Sequence, residues 1–297
     1  MKRVLWFFQF LLICLLSLPV ALLPYRISLK FGETLGTLLF FVWSSRRKIA
    51  VDNLTAAVSR GAIIIDSAPE AVIKQNFKNL GKSLVEVVKI YCGFGEHIIK
   101  SVQIKGAENF TKAREKGSGI ILLTGHCGNW ELIAIVCAVR FTNISVVARP
   151  IDNPFLNRVV ERTRARFGNE VIYKRGALKK ILALLKNNGV VGILMDQSVI
   201  SSEGVVAEFL GKKDYTMKTP ALIAMKTGSP VIPAFIKRVD RGHRIEIGEE
   251  IEIDRTEDDD QAVVNNTIRF SRHIEEYIRH NPSEWLWIHR RWKRIKD

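Results

Sequence analysis

The sequence predicts an α/β fold: a single mixed, largely parallel sheet flanked by helices, preceded by an N-terminal membrane-anchor helix. Three observations predict it. Beyond residue 119, short apolar runs alternate with segments of helical periodicity, the pattern of strands joined by crossover helices. Val4 to Leu23 is almost wholly apolar, interrupted only by Gln9, Ser17 and Pro19, and about 20 such residues match a bilayer core. The chain of 297 residues, 47% of them hydrophobic, is long enough for one large core.

Met1-Lys2-Arg3 precedes the apolar run as in a secretory signal, but no small-x-small pattern follows before Pro24-Tyr25-Arg26. This favours an uncleaved anchor over residues 1–26. Ile27 to Trp43 is a second apolar stretch, carrying Lys30, Glu33, Gly32 and Gly36. It reads as an interfacial or hairpin helix (27–45) opening a single domain over 27–297. Arg26, Lys30, Arg46, Arg47 and Lys48 lie downstream of the first run and orient the body to the cytoplasmic side.

Helical periodicity over Gln75 to Tyr91 runs through Phe77, Leu80, Leu84, Val87 and Val88. Strands follow at Ile120–Thr124, Ile144–Ala148, Val171–Tyr173 and Val190–Met195. Between them come helices at Leu132–Val136, Pro154–Phe167 and Leu178–Asn187. Ala221–Thr227 is helical, Val231–Arg238 and Arg244–Ile253 are late strands expected to be antiparallel, and Asn265–His280 is a closing helix.

The segment His126-Cys127-Gly128-Asn129-Trp130-Glu131 sits between the first of these strands and its helix. It reads as a tight loop with Asn129 as the helix N-cap. Within one helix, residues five apart would diverge by roughly 140°. The loop instead lets the strand deliver His126 while the first helical turn sets Glu131 beside it. A histidine oriented by a carboxylate is the minimal general base for deprotonating a hydroxyl. Of six histidines, only His126 has an acid at that offset. A hit of this kind is roughly an even chance in such a composition, so the flanking strand and helix carry the weight.

Four cysteines without metal or framework spacing (Cys14, Cys92, Cys127, Cys137) indicate reduced thiols. Cys127 is a bystander rather than a nucleophile, because neighbours on extended chain point to opposite sides. The net charge of +15 calls for an anionic surface or an acidic partner. No zinc finger, RNP-like strand or helix-turn-helix signal points to nucleic acid. Neither is there a G-x-S-x-G elbow, a P-loop, a dinucleotide fingerprint or H-E-x-x-H. In a parallel sheet, polar residues at strand carboxyl ends gather in one crevice. Arg149, Lys174-Arg175 and Asp196-Gln197 occupy such ends beside His126. A base, no evident nucleophile and an anchor together point to direct transfer of an activated group to a lipid hydroxyl.

At these residues the chain resembles the lysophospholipid acyltransferase superfamily, whose signature is a histidine, four residues, then an acid. Gly125-His126-Cys127-Gly128-Asn129-Trp130-Glu131 resembles the form found in the late (secondary) acyltransferases of lipid A biosynthesis. Further blocks are similar along nearly the whole chain: Arg46-Arg47-Lys48-Ile49-Ala50 with Asn53-Leu54, Ala148-Arg149-Pro150 with Asp152-Asn153-Pro154 and Arg164, Asp196-Gln197, Phe209-Leu210-Gly211, and Ser229-Pro230-Val231-Ile232-Pro233. The last runs from Pro282 to Lys293. That tryptophan-rich basic block, taken alone, would also suit interfacial anchoring. Two departures stand out. Glu284 occupies a position where glutamine is common, and Asp196-Gln197-Ser198 replaces the E-G-T-R block of glycerolipid acyltransferases, pointing away from a glycerophosphate acceptor.

The resemblance implies transfer of a fatty acyl chain from acyl carrier protein to a hydroxyl of a lipid A precursor of the Kdo-lipid IVA type. It implies a bacterial inner-membrane protein with its catalytic domain on the cytoplasmic face. His126 and Glu131 would be the catalytic pair, acting without an acyl-enzyme. Loop backbone N–H groups or a nearby cation would hold the oxyanion. Arg164 and Asp196 would line the site, with Arg149, Lys174 and Arg175 toward an anionic glycolipid headgroup. No cofactor or metal is required. Two other readings fit the same features: a same-fold enzyme acting on another glycolipid or an ornithine-type lipid, and a non-catalytic membrane adaptor.

Overall fold

The computed structural model describes residues 2–173, 176–240, 242–256 and 259–295. Four helices come first: α1 (Lys2–Leu22), α2 (Tyr25–Val42), α3 (Ser44–Ser59) and α4 (Pro69–Tyr91). Then follow α5 (Glu96–Ser101), β1 (Gln103–Lys105), α6 (Ala107–Glu115), β2 (Ile120–Thr124), α7 (Glu131–Arg140), β3 (Ile144–Ala148), α8 (Pro154–Arg166) and β4 (Glu170–Tyr173). The chain continues through α9 (Ala177–Lys186), β5 (Val190–Leu194), β6 (Gly204–Phe209), β7 (Lys212–Met217), α10 (Thr219–Thr227), β8 (Val231–Val239), β9 (Gly242–Ile247) and α11 (Asp259–His280).

Seven strands form one sheet in the order β1-β9-β8-β2-β5-β3-β4. All pairs are parallel except β8 with β9. This is the α/β architecture expected from the sequence, including its late antiparallel pair. The central strand β2 is buried throughout, as a parallel strand covered on both faces must be. Its side chains alternate between two cores. Ile121 and Leu123 face Phe270, Ile274 and Trp285, whereas Ile120 and Leu122 face α7. The hairpin β6–β7 stands apart from the sheet. Together with β1, α3, α5 and α6, it is a feature that periodicity did not reveal.

Helix α1 is long and apolar enough to cross a membrane. It does not stand free of the body. Asn153 donates to Trp6 O and Gln9 Oε1, Phe10 stacks on Phe155, and Lys89 Nζ caps the other end through Ala21 O and Leu23 O. Helix α2 presents Ile27, Phe31, Leu38 and Phe41 to the exterior but buries Ser28, Gly32, Gly36 and Phe40. Its contact with α4 is backbone to backbone: a Cβ at Gly36 would lie 2.2 Å from Phe77 O, and one at Gly81 2.1 Å from Gly32 O. Glycine is what permits that approach.

The tryptophan-rich C-terminal block is core rather than surface anchor. Trp285 and Trp287 are buried, and Trp292 donates its indole N–H to Phe209 O. Asn53 donates to Trp287 O and His289 O, and Arg46 to Ile288 O. The blocks at residues 46–54 and 282–293 are therefore two halves of one clasp.

Candidate active site

Register builds the centre of the site. Strands β2 and β5 pair in parallel with Thr124 opposite Leu194. His126 and Asp196 each lie two residues beyond those positions, so the two strand ends bring them together. His126 Nδ1 lies 2.8 Å from Asp196 Oδ1, and Trp285 donates its indole N–H to Asp196 Oδ2 at 2.8 Å. Donation of the Nδ1 proton to Asp196 leaves Nε2 as the basic nitrogen. The ring packs edge-on to Trp130, 5.2 Å between centroids.

Burial opposes charge on His126, but the charge and hydrogen bond of Asp196 outweigh it, helped by the charge of Glu131. The imidazole therefore titrates above its ordinary value. Burial would raise the Asp196 carboxyl, yet His126 and the Trp285 indole hold it low. The orienting carboxylate is thus Asp196 and not, as the motif alone indicated, Glu131.

Glu131 has other partners. Arg164 Nη2 donates to both its oxygens, at 2.8 and 3.0 Å, and Tyr91 donates at 3.3 Å. It reaches His126 through its charge alone. Burial, with the nearby Glu131 charge, pushes the Tyr91 hydroxyl upward, so Tyr91 remains a donor.

The loop between them departs from the expected cap. Helix α7 begins at Glu131 behind Trp130, with no side-chain cap. Asn129 instead turns inward and donates to Glu86 Oε2 at 3.0 Å. Gly128 has φ +55, and a Cβ there would meet Ile236 O at 2.3 Å, so only glycine fits. Its N–H donates to Glu284 O, and Leu286 N–H donates to His126 O, which lays the C-terminal segment against the loop as a short strand-like partner. Cys127 is fully buried and its thiol is pushed far up, first by burial and then by Asp196 and Glu284. It cannot serve as a nucleophile.

Sequence reasoning missed the support behind this loop. Glu86, fully buried on α4, accepts from Arg238 (2.8 and 2.9 Å), Tyr25 (2.7 Å) and Asn129, and lies 2.9 Å from His243 Nε2. Asn76 donates to Ser283 O and Trp285 O, and Asn79 to Glu284 Oε1. A signal was present: Asn76, Asn79, Ser83 and Glu86 recur at helical spacing, a polar stripe on a buried face.

His126, Glu131 and Arg164 open onto a cavity of about 470 Å³ whose inner wall is apolar, formed by Leu122, Ile135, Ile144, Val146 and Gly192. Leu122, Gly192 and Val146 share one register across β2, β5 and β3. A Cβ on Gly192 would touch only Ile144, at 3.3 Å, so the glycine keeps the cavity deep. Arg149 lies at its rim, paired with Asp152 in an exposed ion pair at 3.2 Å. Lys174 and Arg175 lie outside the described residues. Among the described residues, no three His, Cys, Asp or Glu side chains converge to hold a metal ion.

His126, tied to a buried carboxylate, thus stands on a largely apolar cavity. The chain belongs to the bacterial lipid A biosynthesis acyltransferase family, whose sequence model matches residues 2–294. It is an acyltransferase. Relatives include a lipid A biosynthesis palmitoleoyltransferase from Escherichia coli (strain K12), 26% identical over 91% of this chain and 86% of that protein. A lauroyltransferase of the same pathway and strain is 24% identical over 92% and 88%. A phosphatidylinositol mannoside acyltransferase from Mycobacterium tuberculosis (strain CDC 1551 / Oshkosh) is 25% identical over 64% and 59%.

Proposed function

We propose that this enzyme moves a fatty acyl chain from an acyl carrier protein thioester to a hydroxyl of a lipid A precursor of the Kdo-lipid IVA type. The observation that carries the reading is the Asp196–His126 pair on the lining of a largely apolar cavity. The cavity takes the acyl chain and leaves the thioester carbonyl at His126. Nε2 removes the proton of the acceptor hydroxyl, and the oxygen attacks the carbonyl carbon directly. Asp196 keeps the ring in the productive tautomer and stabilises the imidazolium, as a triad aspartate does. Glu131, anchored by Arg164, adds negative charge toward the same ring. Arg149 at the rim, with Lys174 and Arg175 as sequence candidates, faces the anionic headgroup.

The basic surface, net charge +15, suits an acidic carrier protein. The outward faces of α1 and α2 would seat the enzyme on the cytoplasmic side of the inner membrane. The mycobacterial relatives favour one second reading, in which the acceptor is a different glycolipid. Replacement of His126 by Ala should abolish thiol release from acyl carrier protein while the protein stays folded. Transfer at the parent rate would refute the assignment, and mass spectrometry of the product lipid separates the two acceptors.

A further inference from the structure

Both ends of α1 are fastened to the body. At one, the buried Asn153 donates to Trp6 O and Gln9 Oε1 at 2.9 and 3.1 Å. Beside it, Phe155 meets the Phe7 and Phe10 rings at 5.5 and 5.9 Å between centroids. At the other end, Lys89 Nζ donates to Ala21 O and Leu23 O at 2.7 and 2.6 Å. Gln9 and Ala21 stand about 18 Å apart along a helix. The outer surface of α1 is apolar: Leu5, Phe8, Leu12, Leu15, Leu16 and Leu22 are each more than half exposed.

The body beside α1 is charged. Arg149 and Asp152, just before Asn153, form an ion pair whose side chains are 78% and 83% exposed. Along α8, Phe155, Arg158, Arg162 and Arg166 recur at the spacing of one helix face, and the three arginines are exposed. The face that begins against α1 thus continues as a basic stripe. Glu161, the only acid of α8, is bonded to Asn157 and Tyr173. At the far end of the stripe, a Cβ on Gly93 would stand 3.5 Å from Arg166 Nη1, and Gly93 is one turn beyond Lys89. The stripe therefore runs from the Gln9 end of α1 toward the Ala21 end. A bilayer core is about 30 Å deep. Were α1 to cross it upright with both contacts kept, one docked end would lie roughly 18 Å deeper than the other. Either the Arg149–Asp152 pair or Lys89 with Arg166 would then sit in hydrocarbon, where charge is costly. Laid along the surface, α1 enters the acyl layer while the arginines stay at the depth of the phosphates.

We propose that α1 lies in the plane of one leaflet and that Arg158, Arg162 and Arg166 of α8 bind anionic lipid headgroups beside it. This rests on the membrane seat proposed above and not on the reaction. Helix α1 and the stripe form one docking surface for an anionic bilayer: apolar side chains fill the acyl layer, and guanidinium groups pair with phosphates. Arg149, at the cavity rim, is four residues from the Asn153 contact, so the cavity opens next to the leaflet on which the enzyme sits.

The test places a short cysteine-bearing tag either ahead of Met1 or after Asp297, in a full chain whose exposed cysteines are removed by Cys14→Ser and Cys92→Ser. A membrane-impermeant maleimide is applied to cells with the outer membrane opened, and again after the inner membrane is lysed. The two tags should become reactive under the same condition, because α1 returns the chain to the side on which it began. Tags reactive from opposite sides overturn the in-plane helix and leave the membrane seat standing. Recovery of the chain in the soluble fraction overturns both. A second arm floats purified full-length protein with phosphatidylcholine vesicles, with and without phosphatidylglycerol. The triple variant Arg158→Gln, Arg162→Gln, Arg166→Gln should lose roughly 10²-fold of the parent's preference for the anionic vesicles, about fivefold for each arginine. Its binding to the neutral vesicles should not change. An undiminished preference in the variant overturns the role of the stripe.

Discussion

Asp196 Oδ1 and His126 Nδ1 lie 2.8 Å apart at the ends of two adjacent parallel strands, and the second oxygen of Asp196 accepts the Trp285 indole N–H. One buried carboxylate thus ties the base to the sheet on one side and to the C-terminal clasp on the other. Both oxygens are directed, so the imidazole has a single orientation available. The arrangement explains why a block near residue 285 accompanies a histidine motif at 126: the first holds the second in place.

Replacing Asp196 by Asn should lower kcat by about 10²–10⁴-fold, because the imidazolium loses its counter-charge and the ring its enforced tautomer. The pH profile supplies the sharper check. In the parent, activity falls as pH drops through the raised His126 value. Without the carboxylate that value falls, and the acid limb must move to lower pH. An unmoved limb would mean that Asp196 does not act on the base.

Glu86→Gln should destabilise the fold by about 3–5 kcal/mol at neutral pH, since it takes the fully buried counter-charge away from the largely buried Arg238 guanidinium. Burial alone would raise the Glu86 carboxyl, but His243 and Arg238 hold it well below the ordinary carboxylate range. A depressed acid contributes stability above its unfolded value, near pH 4.3, and loses it as pH falls toward the folded value. Urea unfolding across pH 3 to 7 should therefore show the gap between parent and variant narrowing toward acid.

Glu284→Gln should have the opposite sign. Burial, reinforced by Glu86, lifts the Glu284 carboxyl to about 7 despite the opposing charge of Arg238. The folded state then binds the proton more tightly than the unfolded chain, so stability is present at low pH and is lost as pH rises from about 4.3 to 7. Glutamine keeps the hydrogen bond from Asn79 and cannot ionise. The variant should gain about 1–3 kcal/mol at pH 8 and nothing near pH 4. Thermal melts at both values decide it, and equal gains at the two would exclude a titration effect.

Gly192→Leu should shorten the acyl chain that the enzyme prefers. The glycine opens the apolar wall between Leu122 and Val146, with only Ile144 near its missing Cβ. Each buried methylene is worth about 0.8 kcal/mol, so losing room for two carbons should cost roughly fifteenfold in kcat/KM for the longest good donor. Competition between thioesters of different length measures this directly. An unchanged ranking would remove the cavity from chain selection.

The sequence by itself determined the layer architecture, because continuous apolar runs of strand length must be buried on both faces and require crossover helices. It also determined that His126 and Asp196 stand at strand ends and that Glu131 opens a helix. Which carboxylate serves the base was decided only by tertiary structure. Strand β5 enters the sheet between β2 and β3, next to a partner some seventy residues earlier, and no local pattern encodes that adjacency. The same holds for the partners of the polar stripe of α4. Periodicity records how often a side chain returns to one face of its own element. Hydrogen bonds between distant elements depend on register and crossing, which exist only once the sheet has closed.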